Sequence, residues 1–244
     1  MNLSIVILAG GKGTRIKSVL QDTPKILAPI AGKPFLDWLL LWIDSWQLKI
    51  QKNIILSTCI GHEKILNYCF TNNINVQCIS EEKPLGTFGA LANVASTNFS
   101  EAYLVLNGDT IFKANIEKIY NNFKKDYKTK PLIILKKIEN NSRYGGYKKV
   151  LEGWKFTDLK TNHISLGSFF ISYEELKKRW LKATSIPFET SQINDVNQEI
   201  MIDNKCFNQD PISAKVLELN TPFIDIGIPS SLKDGQTLIP QILL

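Results

Sequence analysis

Short, continuous apolar runs alternate with amphipathic stretches through the first half of the chain. Leu3–Leu8, Asn53–Ser57, Val76–Ser80 and Tyr103–Leu106 predict strands, and Phe35–Leu48, Glu63–Phe70, Leu85–Ala95 and Ile116–Phe123 predict helices between them. Strands that are apolar throughout are buried on both faces. The alternation therefore predicts an α/β fold, a mostly parallel sheet with helices on both sides. Such sheets bind ligands beyond the carboxyl ends of their strands, so the loops that follow the strands are where chemistry is sought.

The second half is less regular: Leu132–Lys137, Ile164–Ser172 and Lys215–Glu218 read as strands and Glu174–Leu181 as a helix. There is no internal repeat and no low-complexity linker. A length of 244 residues with 44% hydrophobic content suits one domain with a continuous core, spanning residues 1–244. Lys124 to Lys130, the most polar stretch, divides its two halves. Trp38, Trp42 and Trp46 recur at helical spacing and so share one face, for core packing or for the subunit contact of a homodimer.

Composition narrows the function. The longest apolar stretch, Trp38–Ile43, is bracketed by Asp37 and Asp44, far short of the roughly 20 residues of a membrane helix. Met1–Leu8 lacks a cationic leader and runs straight into Ala9-Gly10-Gly11, so a cytoplasmic protein with no membrane partner is expected. Cys59, Cys69, Cys78 and Cys206 show no C-x-x-C spacing and read as small reduced hydrophobes, not as a zinc site or disulfides. A net charge of +6 points to an anionic partner. Arginines number only three, Arg15, Arg143 and Arg179, and clusters such as Lys177-Lys178-Arg179 read as solvated helix faces. That argues against nucleic acid and for a phosphate-bearing small molecule.

The loop after the first strand, Leu8-Ala9-Gly10-Gly11-Lys12-Gly13-Thr14-Arg15, has the chemistry of a phosphate cradle. Glycines let backbone N–H groups approach phosphate oxygens, and an arginine holds phosphate through two parallel hydrogen bonds. The order of residues is neither the P-loop pattern nor the dinucleotide fingerprint, which disfavours both of those classes, dinucleotide-dependent oxidoreductases included. Thr23-Pro24-Lys25 and Gly32-Lys33-Pro34-Phe35 add two further cations before the next helix.

Taken together, residues 5–36, with I-x-I-L-A-G-G-x-G-T-R, S-V-x-x-D-x-P-K, A-P and G-K-P-F-L, resemble the signature of the sugar-1-phosphate nucleotidyltransferases. The long form is similar to that of the D-glycero-D-manno-heptose 1-phosphate guanylyltransferases. The resemblance implies a Rossmann-like fold of the nucleotide-diphospho-sugar transferase type. Residues 1 to about 130 would form a nucleotide-binding half and about 131 to 244 a sugar-phosphate-binding half. It further implies that Leu8, Ala9, Gly10, Gly11, Gly13 and Thr14 wrap the triphosphate, with Arg15 and Lys25 as catalytic cations and Lys25 near the reacting phosphorus. Glu82-Lys83-Pro84-Leu85-Gly86-Thr87-Phe88-Gly89-Ala90 matches the family's E-x-x-P-L-G-T-x-G-A segment, so Glu82, Pro84, Gly86 and Thr87 would frame base and sugar.

Asn107-Gly108-Asp109 and Asp225-Ile226-Gly227-Ile228-Pro229 match the family's N-G-D and D-x-G-x-P. The resemblance gives Asn107 and Gly108 to the nucleotide, and has Asp109 and Asp225 share Mg²⁺, with Asp109 also catalytic. Two carboxylates with substrate phosphates meet the preference of this ion for oxygen ligands. Arg143-Tyr144-Gly145 resembles the family's R-Y-G beside the sugar phosphate. Beyond it the match thins. The expected Glu-Lys pair gives way to Gly153-Trp154-Lys155, leaving Lys155 or Lys160 as the phosphate-contacting lysine, and Leu166, beside Gly167, is read at the place of the asparagine in Asn-x-Gly.

The implied reaction is attack by a sugar 1-phosphate oxygen on the α-phosphorus of a nucleoside triphosphate, with release of pyrophosphate. A phosphate monoester is already an anionic nucleophile, so no proton need be removed and His62 and His163 are expected to be surface or strand residues. GTP and the heptose 1-phosphate are the expected substrates, giving GDP-heptose for polysaccharide assembly. CTP, UTP or dTTP with mannose or glucose 1-phosphate are alternatives. Leu166 motivates another reading, a nucleotide-sugar sensor without acceptor chemistry.

Overall fold

The structure, a computed structural model, describes residues 1–151, 153–157, 159–185, 188 and 214–243. Its strands are β1 (Leu3–Leu8), β2 (Pro29–Ile30), β3 (Lys33–Pro34), β4 (Asn53–Thr58), β5 (Gln77–Ser80), β6 (Ala102–Asn107), β7 (Thr110–Phe112), β8 (Leu132–Lys137), β9 (Gly146–Val150), β10 (Gly153–Thr157), β11 (His163–Ser172), β12 (Lys215–Glu218) and β13 (Phe223–Asp225). The helices are α1 (Lys17–Leu20), α2 (Phe35–Asp44), α3 (His62–Thr71), α4 (Gly86–Thr97), α5 (Ile116–Lys124), α6 (Tyr173–Thr184) and α7 (Pro229–Leu243).

Nine strands form one sheet in the order β10-β9-β11-β6-β1-β4-β5, with β8 paired to β11 and β12 to β8. The pairs β1–β4, β1–β6, β4–β5 and β8–β12 are parallel, while β11 runs against β6, β8 and β9, and β10 against β9. Only β10 and β11 oppose the common direction, so the sheet is mostly parallel as the sequence predicts. Alternation along the central strands explains the layers. Leu3, Ile5 and Ile7 pack with Leu104 and Leu106 under α2, α5 and α7, whereas Val6, Tyr103 and Val105 pack under α4 and α6. Both faces are thus covered, and the apolar runs have no wet side to carry polar residues.

Several elements differ from their predicted extents for physical reasons. The helix that begins at Phe35 ends at Asp44, although Trp46 and Leu48 beyond it are buried and extend its apolar pattern. Trp42 meets Trp46 edge-on at 5.0 Å between ring centroids and Phe112 at 4.9 Å. All three tryptophans therefore serve the core, and none is free for a subunit contact. Arg179 is buried against Glu175, with Nε donating to Oε1 at 2.7 Å, so it is not part of a solvated cluster. The β9–β10 hairpin, the β7–β13 ribbon and α7 lie outside the predicted set. The first is rich in lysine, the second has three residues a strand, and the third contains Gly235 and Pro240, which read as helix breakers. Cys206 lies outside the described residues. No helix among the described residues is long and apolar enough to cross a membrane.

Candidate active site

The carboxyl ends of β1, β4 and β6 converge on the loop that follows β1, and close backbone approach there demands glycine. A Cβ on Gly108 would stand 2.5 Å from the carbonyl oxygen of Leu8, whose hydrogen bond from Gly108 N at 3.0 Å joins the two strand ends. A Cβ on Gly10 would lie 2.9 Å from Cys59 Cβ. Gly13 and Gly86 hold φ of 58° and 76°, a region that costs other residues energy. Leu8, Gly10, Gly11, Pro84, Gly86 and Thr87 line one cavity of about 240 Å³. The amino end of α4 opens at Gly86, so its backbone N–H groups and the positive end of its dipole lie at that cavity.

The acidic residue of this cavity is Glu81 and not Glu82. Glu81 is buried and accepts from Ser57 Oγ at 2.9 Å and from Leu85 N at 3.0 Å, while Glu82 is exposed. Counting back three residues from Pro84 in E-x-x-P also gives Glu81. Its carboxylate ties β4 to the turn before α4, holding the rim of the cavity in place.

A second cavity of about 520 Å³ adjoins the first at Gly11 and is lined by Gly13, Thr14, Lys12, Lys25 and Lys64. Lys12 of the glycine loop and Lys64 bring two further cations to this cavity. Lys64 arrives on α3, which carries no phosphate motif of its own. Arg15 is exposed on the turn Thr14–Ile16 and does not line either cavity.

Lys25 Nζ donates to Asp109 Oδ2 at 2.5 Å, and Arg143 Nη2 donates to Asp225 Oδ1 at 2.5 Å. The β7–β13 ribbon sets Asp225 opposite Thr110, and Ile226 N donates to the Asp109 carbonyl at 2.9 Å, so residues far apart in sequence become neighbours. Burial, then the charge of Asp109, raises the Asp225 carboxyl above its ordinary range, against smaller opposing effects of Gly227 N–H, Arg143 and Lys25. Burial and then Asp225 push Tyr144 up to about 12. The Arg143 guanidinium lies 5.0 Å from the Tyr144 ring centroid, and its Nε is buried without a hydrogen-bond partner.

This donor set fits a hard divalent cation. A Cβ on Gly227 would meet Asp225 Oδ1 at 2.9 Å and Asp109 Oδ2 at 3.6 Å, which shows how near the two carboxylates are. No cluster of three histidine, cysteine or acidic residues occurs among the described residues, so substrate oxygens would complete the shell.

On the far side of Asp225, Asn107, Tyr144, Tyr147, Phe156, Ser165 and Phe223 line a cavity of about 220 Å³. Gly145 and Gly167 are needed there: a Cβ would fall 3.1 Å from the Phe156 ring and 2.6 Å from Asn107 Nδ2, and Gly167 holds φ of 68°. Leu166 does not belong to this cavity. It is fully buried in the core, and the residue two before Gly167, where Asn-x-Gly has its asparagine, is Ser165. Ser165 and Gly167, two residues apart on β11, both face the cavity, and the pairing of β11 with β8 shifts register between Ser165 and Phe169. Lys155 is exposed and pairs across the hairpin with Lys148. It neighbours the cavity-lining Phe156 and so points to the opposite face. Lys160 is exposed too, and neither lysine lines the cavity.

Leu166→Asn is therefore expected to destabilise the protein by about 2–4 kcal/mol, through a buried amide in place of an apolar side chain. Urea unfolding measures this, and a loss below about 1 kcal/mol would contradict the core placement.

Residues 4–153 match the family model described as Nucleotidyl transferase. The chain is 31% identical over 235 residues to the D-glycero-alpha-D-manno-heptose 1-phosphate guanylyltransferase of Campylobacter jejuni, covering 93% of this chain and 96% of that protein. It is 34% identical over 149 residues to the enzyme of the same name from Aneurinibacillus thermoaerophilus, covering 59% of this chain and 61% of the relative. The crystal structure of HddC from Yersinia pseudotuberculosis complexed with GMP-PN superposes with a TM-score of 0.70 at 25% identity, over 97% of this chain and 98% of that one.

Proposed function

The chain belongs to the nucleotidyl transferase family, and on that premise we propose that it transfers GMP from GTP to a manno-configured heptose 1-phosphate. The products are GDP-heptose and pyrophosphate. The observation that carries this reading is the meeting of Asp109 and Asp225 with Lys25 and Arg143 between the two flanking cavities. One flank has the glycine loop and lysines that suit a triphosphate; the other has aromatic walls and hydroxyls that suit a sugar. The guanylyltransferase names of the relatives and the GMP-PN complex of HddC support guanine and heptose.

In this reading the residues before about 130 bind the nucleotide and those after it supply most of the sugar-phosphate site, with Asp109 and Asp225 at the seam. Gly10, Gly11, Gly13 and Thr14 receive the β- and γ-phosphates on backbone N–H groups, with Lys12 and Lys64 neutralising them. Arg15, exposed beside the phosphate cavity, is assigned to the phosphates by the motif alone. Pro84, Gly86 and Thr87 frame the nucleoside, and Glu81 holds that frame still. Lys25 stabilises charge on the α-phosphoryl group, and Arg143 orients the sugar phosphate for in-line attack. Tyr144, Gly145 and Gly167 shape the sugar cavity. Mg²⁺ held by Asp109 and Asp225 would supply neutralisation of the phosphate oxygens. The protein works in the cytoplasm, where its product serves polysaccharide assembly. Leu166, a core residue, gives the sensor reading no support, and the residue at the place of the asparagine is Ser165, which lines the sugar cavity.

Specificity constants for pyrophosphate release, taken over GTP, CTP, UTP and dTTP with heptose, mannose and glucose 1-phosphates, test this choice. GTP with the heptose is expected to rank first. A higher value for another base would overturn guanine, and a higher value for another sugar would overturn heptose.

A further inference from the structure

Thr110 opens β7, directly after Asp109 and directly opposite Asp225 in the β7–β13 ribbon. Ile111 and Phe112 beyond it are core residues, and Thr110 is itself only 6% exposed. Valine has nearly the same shape, forms strands as readily and brings no hydroxyl to desolvate, so packing of the ribbon gives no reason for threonine here. The site gives one. Thr110 Oγ1 donates to Asp109 Oδ1 at 2.9 Å.

That bond divides the Asp109 carboxylate between two anchors. Lys25 Nζ donates to Oδ2, the oxygen that lies toward Gly227 and Asp225, and Thr110 holds Oδ1. The terminal torsion of an aspartate is broad, so a single anchor leaves the carboxylate able to turn, whereas two fix it. The anchors differ in permanence. Lys25 has a flexible stem and is assigned to the α-phosphoryl group during the reaction, which draws it from Asp109. Thr110 is β-branched with few χ1 choices, and its backbone is held in register with Asp225, so its hydroxyl stays where the ribbon sets it.

We propose that Thr110 is a positioning residue whose hydroxyl keeps Asp109 turned with Oδ2 toward Asp225 while substrate engages Lys25. The inference rests on the nucleotidyltransferase reading of the site and adds to it the group that orients one acid of the ion site through its other oxygen. Thr110 also lines the sugar cavity, so a direct contact with the acceptor is the role to be told apart.

Calorimetric dissociation constants of a non-hydrolysable GTP analogue, taken with the full chain in excess Mg²⁺ and in excess chelator, test this without turnover. In the wild type Mg²⁺ is expected to tighten binding at least about tenfold. Thr110→Val should cut that gain to about a tenth and leave the affinity in chelator within about twofold of the wild type. Thr110→Ser restores the hydroxyl on a looser side chain and should keep the gain within about threefold. A gain unchanged by Thr110→Val would overturn the proposal. So would a wild type whose affinity ignores Mg²⁺, a Ser variant as weak as the Val variant, or equal losses in Mg²⁺ and in chelator, which would mean that the whole site had moved. An unchanged gain with a raised KM for the sugar phosphate would overturn it too, and give Thr110 to the acceptor. Thermal melts check each fold, and Thr110→Ala replaces a Val variant that fails to fold. Wild-type protein that releases pyrophosphate while the gain does not move between variants would sink only this inference. Wild type that is inactive with every substrate pair would sink the reading beneath it, and this inference with it.

Discussion

Lys25→Ala is expected to lower kcat by about 10²–10³-fold, the usual cost of removing one preorganised group that stabilises transition-state charge. The side chain stands on the short turn Lys25–Leu27 between two cavities and holds Asp109, so its position is fixed before substrate arrives. It belongs to neither core cluster. Unfolding stability should consequently change little, because a partly exposed ion pair contributes roughly 0–1 kcal/mol. Steady-state kinetics with a parallel thermal melt separates the two effects. Turnover within a few-fold of the wild type would remove Lys25 from the chemistry.

Asp225→Asn should divide function from stability in the other direction. The folded pKa of Asp225 is raised, mainly by burial and next by Asp109. A raised carboxyl in the folded state costs stability as pH climbs above the unfolded value, because the ionised form is harder to hold in the fold than in water. A neutral amide escapes that cost, so the variant should be no less stable than the wild type at neutral pH and should show less loss of stability from mildly acid pH upward. The loss of a charged oxygen ligand should nevertheless raise the Mg²⁺ concentration for half-maximal activity at least about tenfold. Asp109→Asn should do the same to the metal requirement. Metal titrations of activity and urea melts across pH check both halves. An unchanged metal requirement would exclude Asp225 from the ion site.

Much of the architecture was legible because burial on both faces leaves a strong imprint: β1 and β6 are buried over all but their last residue and mostly apolar, and the loops after them carry Gly10, Gly108 and Asp109. What escaped was short or polar. The three-residue ribbon that brings Asp225 to Asp109 has no periodicity to detect, and in the β9–β10 hairpin Lys149 shares a face with Tyr147, opposite Trp154, which blurs the inward pattern. Two site residues were displaced by one position. Glu82 for Glu81 and Leu166 for Ser165 are errors of register, and in a strand or tight turn one step exchanges a cavity-lining side chain for one that faces the solvent or the core. Lys64 could be found only in three dimensions, since it reaches the phosphate cavity from a helix without any motif.

This cleft is expected to join the α-phosphoryl group of GTP to a sugar phosphate. The most direct measurement incubates the wild-type protein with Mg²⁺, GTP labelled at the α-phosphorus and manno-configured heptose 1-phosphate, then separates the products. All label that leaves GTP should appear in a GDP-heptose, with one unlabelled pyrophosphate formed for each. Label left in GTP, or recovered as free GMP without a sugar product, would contradict the account.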